Sequence, residues 1–304
     1  MLNFASSARS TLGIEWELQL IDQDSFDLRQ TGDIVLAKLR ESAAACDPKS
    51  AEFIANIHGE MLLNTVELVS HPHRTVKECV QDISAELKAV RQVVAPMRIE
   101  LAGAGTHPFA NPAYQRVTDK ERYSKIVNRT QYWGRQMLLF GTHVHVGVEQ
   151  RELVLPVINA LLTRFAQLQA LTAASPYWNG VNTGYADNRA MVFQQLPTAG
   201  VPHQFSRWEE LTGYYTDMKK TGVIDGFSEI RWDIRPSPKF GTIELRMCDA
   251  ASNIAELAMA AAVSQCLVEY FVRKAEAGRN FQQCSRGLLM KTSGVQLVTV
   301  QMPS

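Results

Sequence analysis

Glu15 and Glu17, two carboxylates two residues apart in Gly13-Ile14-Glu15-Trp16-Glu17-Leu18-Gln19-Leu20, are the first residues able to do chemistry. Side chains of an extended chain alternate between faces, so the two share one face, roughly 7 Å apart. Such like charges repel unless a cation or a base neutralises them. Alone, the pair also reads as the solvated face of an amphipathic edge strand. Three remote segments repeat the pattern, however. Glu67 stands in Thr65-Val66-Glu67-Leu68-Val69 with Glu60 nearby, His143 and His145 in Gly141 to Val148, and Glu244 and Arg246 in Gly241 to Cys248. If these four segments share a sheet, one face is a bowl lined with carboxylates. Repulsion inside it calls for divalent ions, and oxygen-dominated donors suit Mg²⁺ or Mn²⁺ rather than zinc. Mg²⁺ usually bridges carboxylates to phosphates, and Arg235, Lys239, Arg246 and His145 are the bases available for phosphate oxygens. Acids and phosphate-binding bases without a P-loop point to ATP chemistry on an antiparallel sheet. The spacing leaves a metal-dependent hydrolase or oxygenase open, with His143, His145 and one Glu as a two-His-one-carboxylate site.

The elements that must position these residues follow from periodicity. Ile14, Trp16, Leu18 and Leu20 alternate with polar residues and predict a strand. Asp33 to Ala45 has helical character. Thr75 opens a helix to about Val94, with Val76, Val80, Ile83, Leu87, Val90 and Val94 at three- and four-residue spacing. Ile99 to Gly105 predicts a strand, Glu121 to Gln136 a polar, Arg-rich helix or lid, and Leu153 to Ala174 a helix. The loop from Ser175 to Arg189 is rich in Asn, Gly and aromatics, a composition that suits binding groups. Ser206 predicts the cap of a helix to about Lys220, and Trp232 to Lys239 a Pro-stiffened loop presenting Arg235 and Lys239.

The totals bound the reading. The 304 residues are 46% hydrophobic and 20% charged with no net charge, a globular composition that gives no reason to expect nucleic acid or an anionic membrane as partner. Met1 to Thr11 lacks the apolar run of a signal peptide, and Ile254 to Val272 reads as a buried core helix because Glu256, Gln265 and Glu269 interrupt it. Cys46, Cys79, Cys248, Cys266 and Cys284 form no C-x-x-C pair, which fits reduced thiols in a cytoplasmic protein.

The same residues resemble a known family. Thr11 to Glu17, Gly105-Thr106-His107-Pro108-Phe109 and Gly141 to Gly147 are similar to motifs of the glutamate–cysteine ligase type 2 family, the YbdK-like carboxylate–amine ligases. So are Ser175-Pro176-Tyr177, Thr183-Gly184-Tyr185, Trp232 to Pro238 and Gly241 to Arg246, all in family order. The resemblance implies an α+β, glutamine-synthetase-like fold: a curved antiparallel sheet with helices on its outer face and a funnel inside. It also implies ATP- and Mg²⁺-dependent joining of a carboxylate, typically the γ-carboxyl of glutamate, to an amine such as that of cysteine. Its partners are then small amino-acid substrates, and a homodimer is compatible with it. By motif, Glu15, Glu17, Glu60, Glu67, His143 and Glu244 would hold metals and nucleotide phosphates. Arg246 and Arg235 would grip the transferring phosphoryl group, and Arg189 and Tyr185 would bind substrate carboxylate. Glu244→Gln is expected to abolish turnover and leave the fold intact.

The resemblance stops after Phe281. The family continues P-W-x-x-x-E-N-x-W-x-x-x-R-Y-G, whereas this chain reads Cys284-Ser285-Arg286-Gly287-Leu288-Leu289-Met290-Lys291 and on to Ser304. In a shifted frame, codon degeneracy permits QPWITYENQWSSARYGTDAE from Cys284 onward, which restores the motif. The expectation is therefore a ligase domain over residues 1–283, incomplete at its C-terminal end, and a frameshifted tail over 284–304. An inactive product that only binds nucleotide is the alternative this leaves.

Overall fold

The computed structural model describes residues 2–45, 47–279 and 281. The expected frameshifted tail lies outside the described residues. Seven strands build one sheet: β1 (Leu12–Asp22), β2 (Ile57–Gly59), β3 (Thr65–Val69), β4 (Ile99–Ala102), β5 (Gly141–Gly147), β6 (Ile234–Ser237) and β7 (Thr242–Asp249). Across the sheet the order is β6-β7-β5-β1-β3-β2, with β4 paired to the far end of β1, and every pairing is antiparallel. Helices α1 (Gly32–Ala44), α2 (Pro48–Ala55), α3 (Val76–Val94), α4 (Glu121–Thr130), α5 (Arg151–Leu161), α6 (Phe165–Thr172), α7 (Asn188–Phe193), α8 (Trp208–Lys220) and α9 (Ile254–Glu276) complete the α+β architecture.

The sheet is two-faced because its sequences alternate. Leu12, Ile14, Trp16, Leu18 and Leu20 of β1 are buried on one face, with Val144 and Val146 of β5 and Ile243 and Leu245 of β7. Helices α3, α5, α6 and α9 lie on the strands from that side. Helix α3 starts where the sequence predicts, with the Thr75–Glu78 capping box satisfying the first free N–H groups. One mid-strand bulge matters for the site. Leu245 pairs with Val144 but Cys248 pairs with Thr142, so β7 carries one extra residue and its alternation flips after Arg246.

Several local expectations change. Leu153–Ala174 is two helices, α5 and α6, separated by a 3₁₀ turn at Leu162–Arg164. The aromatic loop contains a small hairpin pairing Tyr177 with Asn182 and Trp178 with Val181. Helix α8 is capped by Arg207 rather than Ser206. Arg235 sits on a strand, not a loop. That strand, β6, is the sheet edge, where Pro236 and its missing N–H cost no ladder bond. Helix α9, the core helix read from Ile254 to Val272, buries one stripe that includes Leu257, Ala261, Ser264, Val268 and Phe271.

Candidate active site

Antiparallel register aligns the chemically active residues in rows across the face opposite the core. Arg235 pairs with Glu244 and Glu244 with His145; His143 pairs with Glu15; Glu17 pairs with Glu67 and Glu67 with His58. Opposite His145 on β1 stands Gly13, so no side chain crowds the imidazole there. The four sequence segments thus meet on one sheet face. Glu60 lies just past β2, where its carboxylate accepts the Met61 N–H at 3.0 Å and the Tyr123 hydroxyl at 3.4 Å.

The ionic environment divides the bowl into two halves. On the β5–β7 side charges are compensated. Glu244, 1% exposed, takes Arg235 Nε at 2.7 Å and Nη2 at 3.1 Å, and a further hydrogen bond from Arg246 Nη1. Burial alone would raise the Glu244 pKa, but the charges of Arg246 and Arg235 outweigh it and hold the carboxyl far below the usual range. Glu15 behaves alike: burial opposes ionisation, but the imidazoles of His143 and His145 beside it outweigh burial, and it is held well below the usual range. His143 donates Nδ1–H to Glu15 Oε2 at 2.9 Å, while burial and the nearby Arg246 bring its pKa down to about 4. A neutral His143 donating from Nδ1 keeps a lone pair on Nε2. His145 Nδ1 pairs with Thr242 Oγ1 at 2.9 Å, and its Nε2 lies 3.2 Å from Glu15 Oε1 without hydrogen-bond alignment.

On the β1–β3 side carboxylates face one another. Glu17 is pushed up to about 7, first by burial and then by the charge of Glu60. Burial and the charges of Glu60, Glu15 and Glu17 raise Glu67 well above the carboxylate range. Within the bowl, two groups of potential ligands have donor atoms within 4.8 Å of one another: Glu17, Glu67 and His143, and Glu15, His143 and Glu244. Two uncompensated carboxyls and one imidazole lone pair are a donor set that fits a hard divalent cation such as Mg²⁺ or Mn²⁺. Among the described residues neither bowl group contains both histidines, as a two-His-one-carboxylate site requires.

Two cavities open from this face and share Glu17, Glu60, Arg122, His143, Ser228 and Arg246. The larger, about 900 Å³, adds Glu15, Glu67, Arg235, His58, Arg40 and Lys120. The smaller, about 480 Å³, adds Arg189, Arg231 and the apolar Met137, Leu139, Phe193 and Leu196. Lys239 is exposed beside Phe240, and neither it, Tyr185 nor His145 lines either cavity. Arg189 does line the smaller one. Its Nη1 and Nη2 donate to the Arg246 carbonyl at 3.2 and 3.3 Å, so the loop is tied to β7.

Sequence reasoning passed over three contributors. Arg231 projects into the smaller cavity, and burial together with the Arg246 charge lowers its pKa to about 10. It adjoins Trp232 of the family motif, which was its available signal. Arg122 lines both cavities from α4, within the segment read only as Arg-rich. Asp249 reaches the bowl face because of the β7 bulge, which strict alternation hides. It accepts the Ala174 N–H and Ser175 hydroxyl, both at 2.7 Å, anchoring the start of the aromatic loop.

A sequence model of the glutamate–cysteine ligase family 2 matches residues 11–292. A candidate glutamate–cysteine ligase 2-1 of Arthrobacter sp. (strain FB24) is 50% identical over 270 residues, 89% of this chain and 70% of that protein. A candidate glutamate–cysteine ligase 2-2 of Paenarthrobacter aurescens (strain TC1) is 50% identical over 279 residues, 91% and 72%. Among solved structures, the Francisella tularensis glutamate–cysteine ligase in complex with AMP superposes with a TM-score of 0.62 at 13% identity, covering 99% of this chain and 71% of that one. The Pasteurella multocida bifunctional glutathione synthetase gives 0.61 at 13%, covering 95% and 45%. The structural likenesses show the fold, the glutamine-synthetase-like sheet that the resemblance implies. The sequence matches show the family: this chain belongs to glutamate–cysteine ligase family 2 and is a carboxylate–amine ligase by that membership.

Proposed function

We propose that the chain joins glutamate to cysteine at the expense of ATP, giving γ-glutamylcysteine, ADP and phosphate. The observation that carries this reading is the pairing of Glu17 with Glu67 beside a neutral His143, at the junction of two cavities that Arg246 also lines. When bound there, Mg²⁺ supplies positive charge to phosphate oxygens. The larger cavity, with Arg40, Lys120, Arg122 and Arg235 around the acids, suits a nucleotide triphosphate. The smaller one suits the amino acids. Arg189 and Arg231 match substrate carboxylates, and Met137, Leu139 and Phe193 exclude water.

The reaction then takes two steps. The γ-phosphoryl group passes from ATP to the substrate carboxylate, with Arg246 stabilising the charge that builds on the equatorial oxygens. The amine attacks the resulting acyl phosphate and phosphate leaves. Glu244 and the Arg189 contact hold Arg246 for this task, since its Nη1 is fixed by Glu244 and its carbonyl by Arg189. The likeness to a ligase crystallised with AMP supports adenine-nucleotide use. ADP release measured across a panel of acid and amine pairs tests the proposal. Glutamate with cysteine should give ADP and amide product in equal amounts. ADP release with no amide product for any pair would reject it.

A further inference from the structure

A second cluster of metal-binding side chains lies away from the bowl. The turn after β3 carries His71-Pro72-His73, and α3 carries Asp82. Three polar groups converge on a single oxygen, Asp82 Oδ2: His71 Nδ1 at 3.0 Å, His73 Nε2 at 2.7 Å and the His71 backbone N–H at 3.0 Å. None of the three residues lines either cavity of the bowl. The imidazoles are about one-third and one-quarter exposed, at 32% and 27%, and the carboxylate 10%, so an ion can enter yet be largely sheltered.

The surroundings hold these donors in place. His73 is pinned through its backbone, its N–H donating to the Leu12 carbonyl at 2.9 Å and its carbonyl accepting the Leu12 N–H at 2.7 Å. The other nitrogen of His71, Nε2, lies 3.4 Å from Oε1 of Glu52 in α2, and Nδ2 of Asn56, the residue that caps α2, lies 3.0 Å from Nε2 and 3.3 Å from Nδ1. A carboxylate behind the far nitrogen is the arrangement that orients metal-bound imidazoles and raises their basicity. Around a tetrahedral ion with bonds of 2.0–2.1 Å, neighbouring donors stand ~3.3 Å apart. The two imidazole–carboxylate separations, 3.0 and 2.7 Å, are close to this, and all three donors lie within 4.8 Å of one another.

We propose that His71, His73 and Asp82 form a binding site for a zinc-class divalent cation, with Glu52 orienting His71. The donor set of two imidazoles and one carboxylate differs from the carboxylate-dominated bowl, so the two sites select different ions. The bound ion would clasp the turn to α3 and, through Glu52, to α2. A fourth position is left for water.

The test uses the full chain, stripped with a chelator and titrated with Zn²⁺ in excess Mg²⁺, with Glu67→Gln reporting any zinc taken up by the bowl instead. Wild-type protein should take up a zinc equivalent that His73→Gln and Asp82→Asn each bind at least tenfold more weakly. Glu67→Gln should keep it. Co²⁺ should report the same site by visible d–d absorption, present in wild type and lost in both variants. Circular dichroism identifies folded variants, and Asp82→Asn carries the comparison should His73→Gln not fold. Equal zinc affinity in wild type and the folded variants overturns the proposal, as does the absence of any zinc equivalent in wild type.

Discussion

Glu244 and Glu67 have the same side chain, the same depth and opposite electrostatics. Glu244 is clamped by Arg235 and Arg246, whereas Glu67 faces Glu17 with further acids nearby. The sequence reading expects Glu244→Gln to leave the fold intact, but this geometry revises it. Neutralising Glu244 removes the carboxylate shared by two mostly buried guanidiniums and leaves Glu15 as a remaining counter-charge, and breaking such a network costs up to about 3–5 kcal/mol. Glu244→Gln should therefore lose both ADP release and a large part of its stability, visible as a lower urea midpoint. Glu86 offers a pH test at the same scale. Burial pushes its carboxyl up to about 9, above the usual range of an unfolded chain. The folded state keeps a proton that the unfolded state releases, so stability is present below about pH 4.5 and declines as pH rises toward 9. By pH 7 the decline is on the order of 3 kcal/mol. Glu17 and Glu67 titrate in the same direction, so wild type is compared with Glu86→Gln at each pH. The variant should show a shallower fall in unfolding free energy between pH 5 and 7. Equal slopes would show that Glu86 ionises normally.

At the scale of elements, what was legible in the sequence is what obeys strict alternation. The period-two pattern of β1 assigns both its core face and Glu15 and Glu17, and the same holds for Glu67, His143 and Glu244 before the bulge. Asp249 was hidden because the extra residue in β7 flips parity beyond Arg246, and no local signal marks that insertion. Thr142, polar like the histidines that follow it, pairs with Trp16 on the core side and accepts the Ala251 N–H at 3.1 Å. The family motif beside Arg231 does not show that its side chain enters a cavity, and nothing local marks Arg122, because both contributions depend on how α4 and the short strand Arg231–Trp232 pack over the bowl. The β5 strand also offers a test of close approach. A Cβ at Gly141 would collide with the Arg189 guanidinium, which is 4% exposed and tied to the Arg246 carbonyl. Gly141→Ala should cost about 1–3 kcal/mol through overpacking and should raise KM for the amino acids by displacing Arg189. Unchanged KM values would separate Arg189 from substrate binding.

At the scale of the whole molecule, the sheet works as a frame whose helix-covered face supplies rigidity and whose open face gathers charge. Every residue assigned to the bowl precedes the proposed break near residue 283. Phe281, which packs edge-on against Phe271 at 5.4 Å, precedes it too. Ending the chain after residue 283 should therefore leave ADP release and the melting temperature unchanged, as turnover assays and thermal scans would reveal. A lost activity would make residues 284–304 part of the working enzyme. The central claim is that the face-to-face carboxylates of β1 and β3 exist to hold a divalent cation for ATP-dependent ligation. Glu67→Gln probes it with the least structural damage, because burial and the neighbouring acids already favour the protonated Glu67 carboxyl, which glutamine mimics without being able to ionise onto a cation. Mg²⁺-dependent ADP release with glutamate and cysteine should fall at least a hundredfold in Glu67→Gln, at an unchanged or higher melting temperature. Release at the wild-type rate in that variant, or in wild type without any divalent cation, would contradict the account.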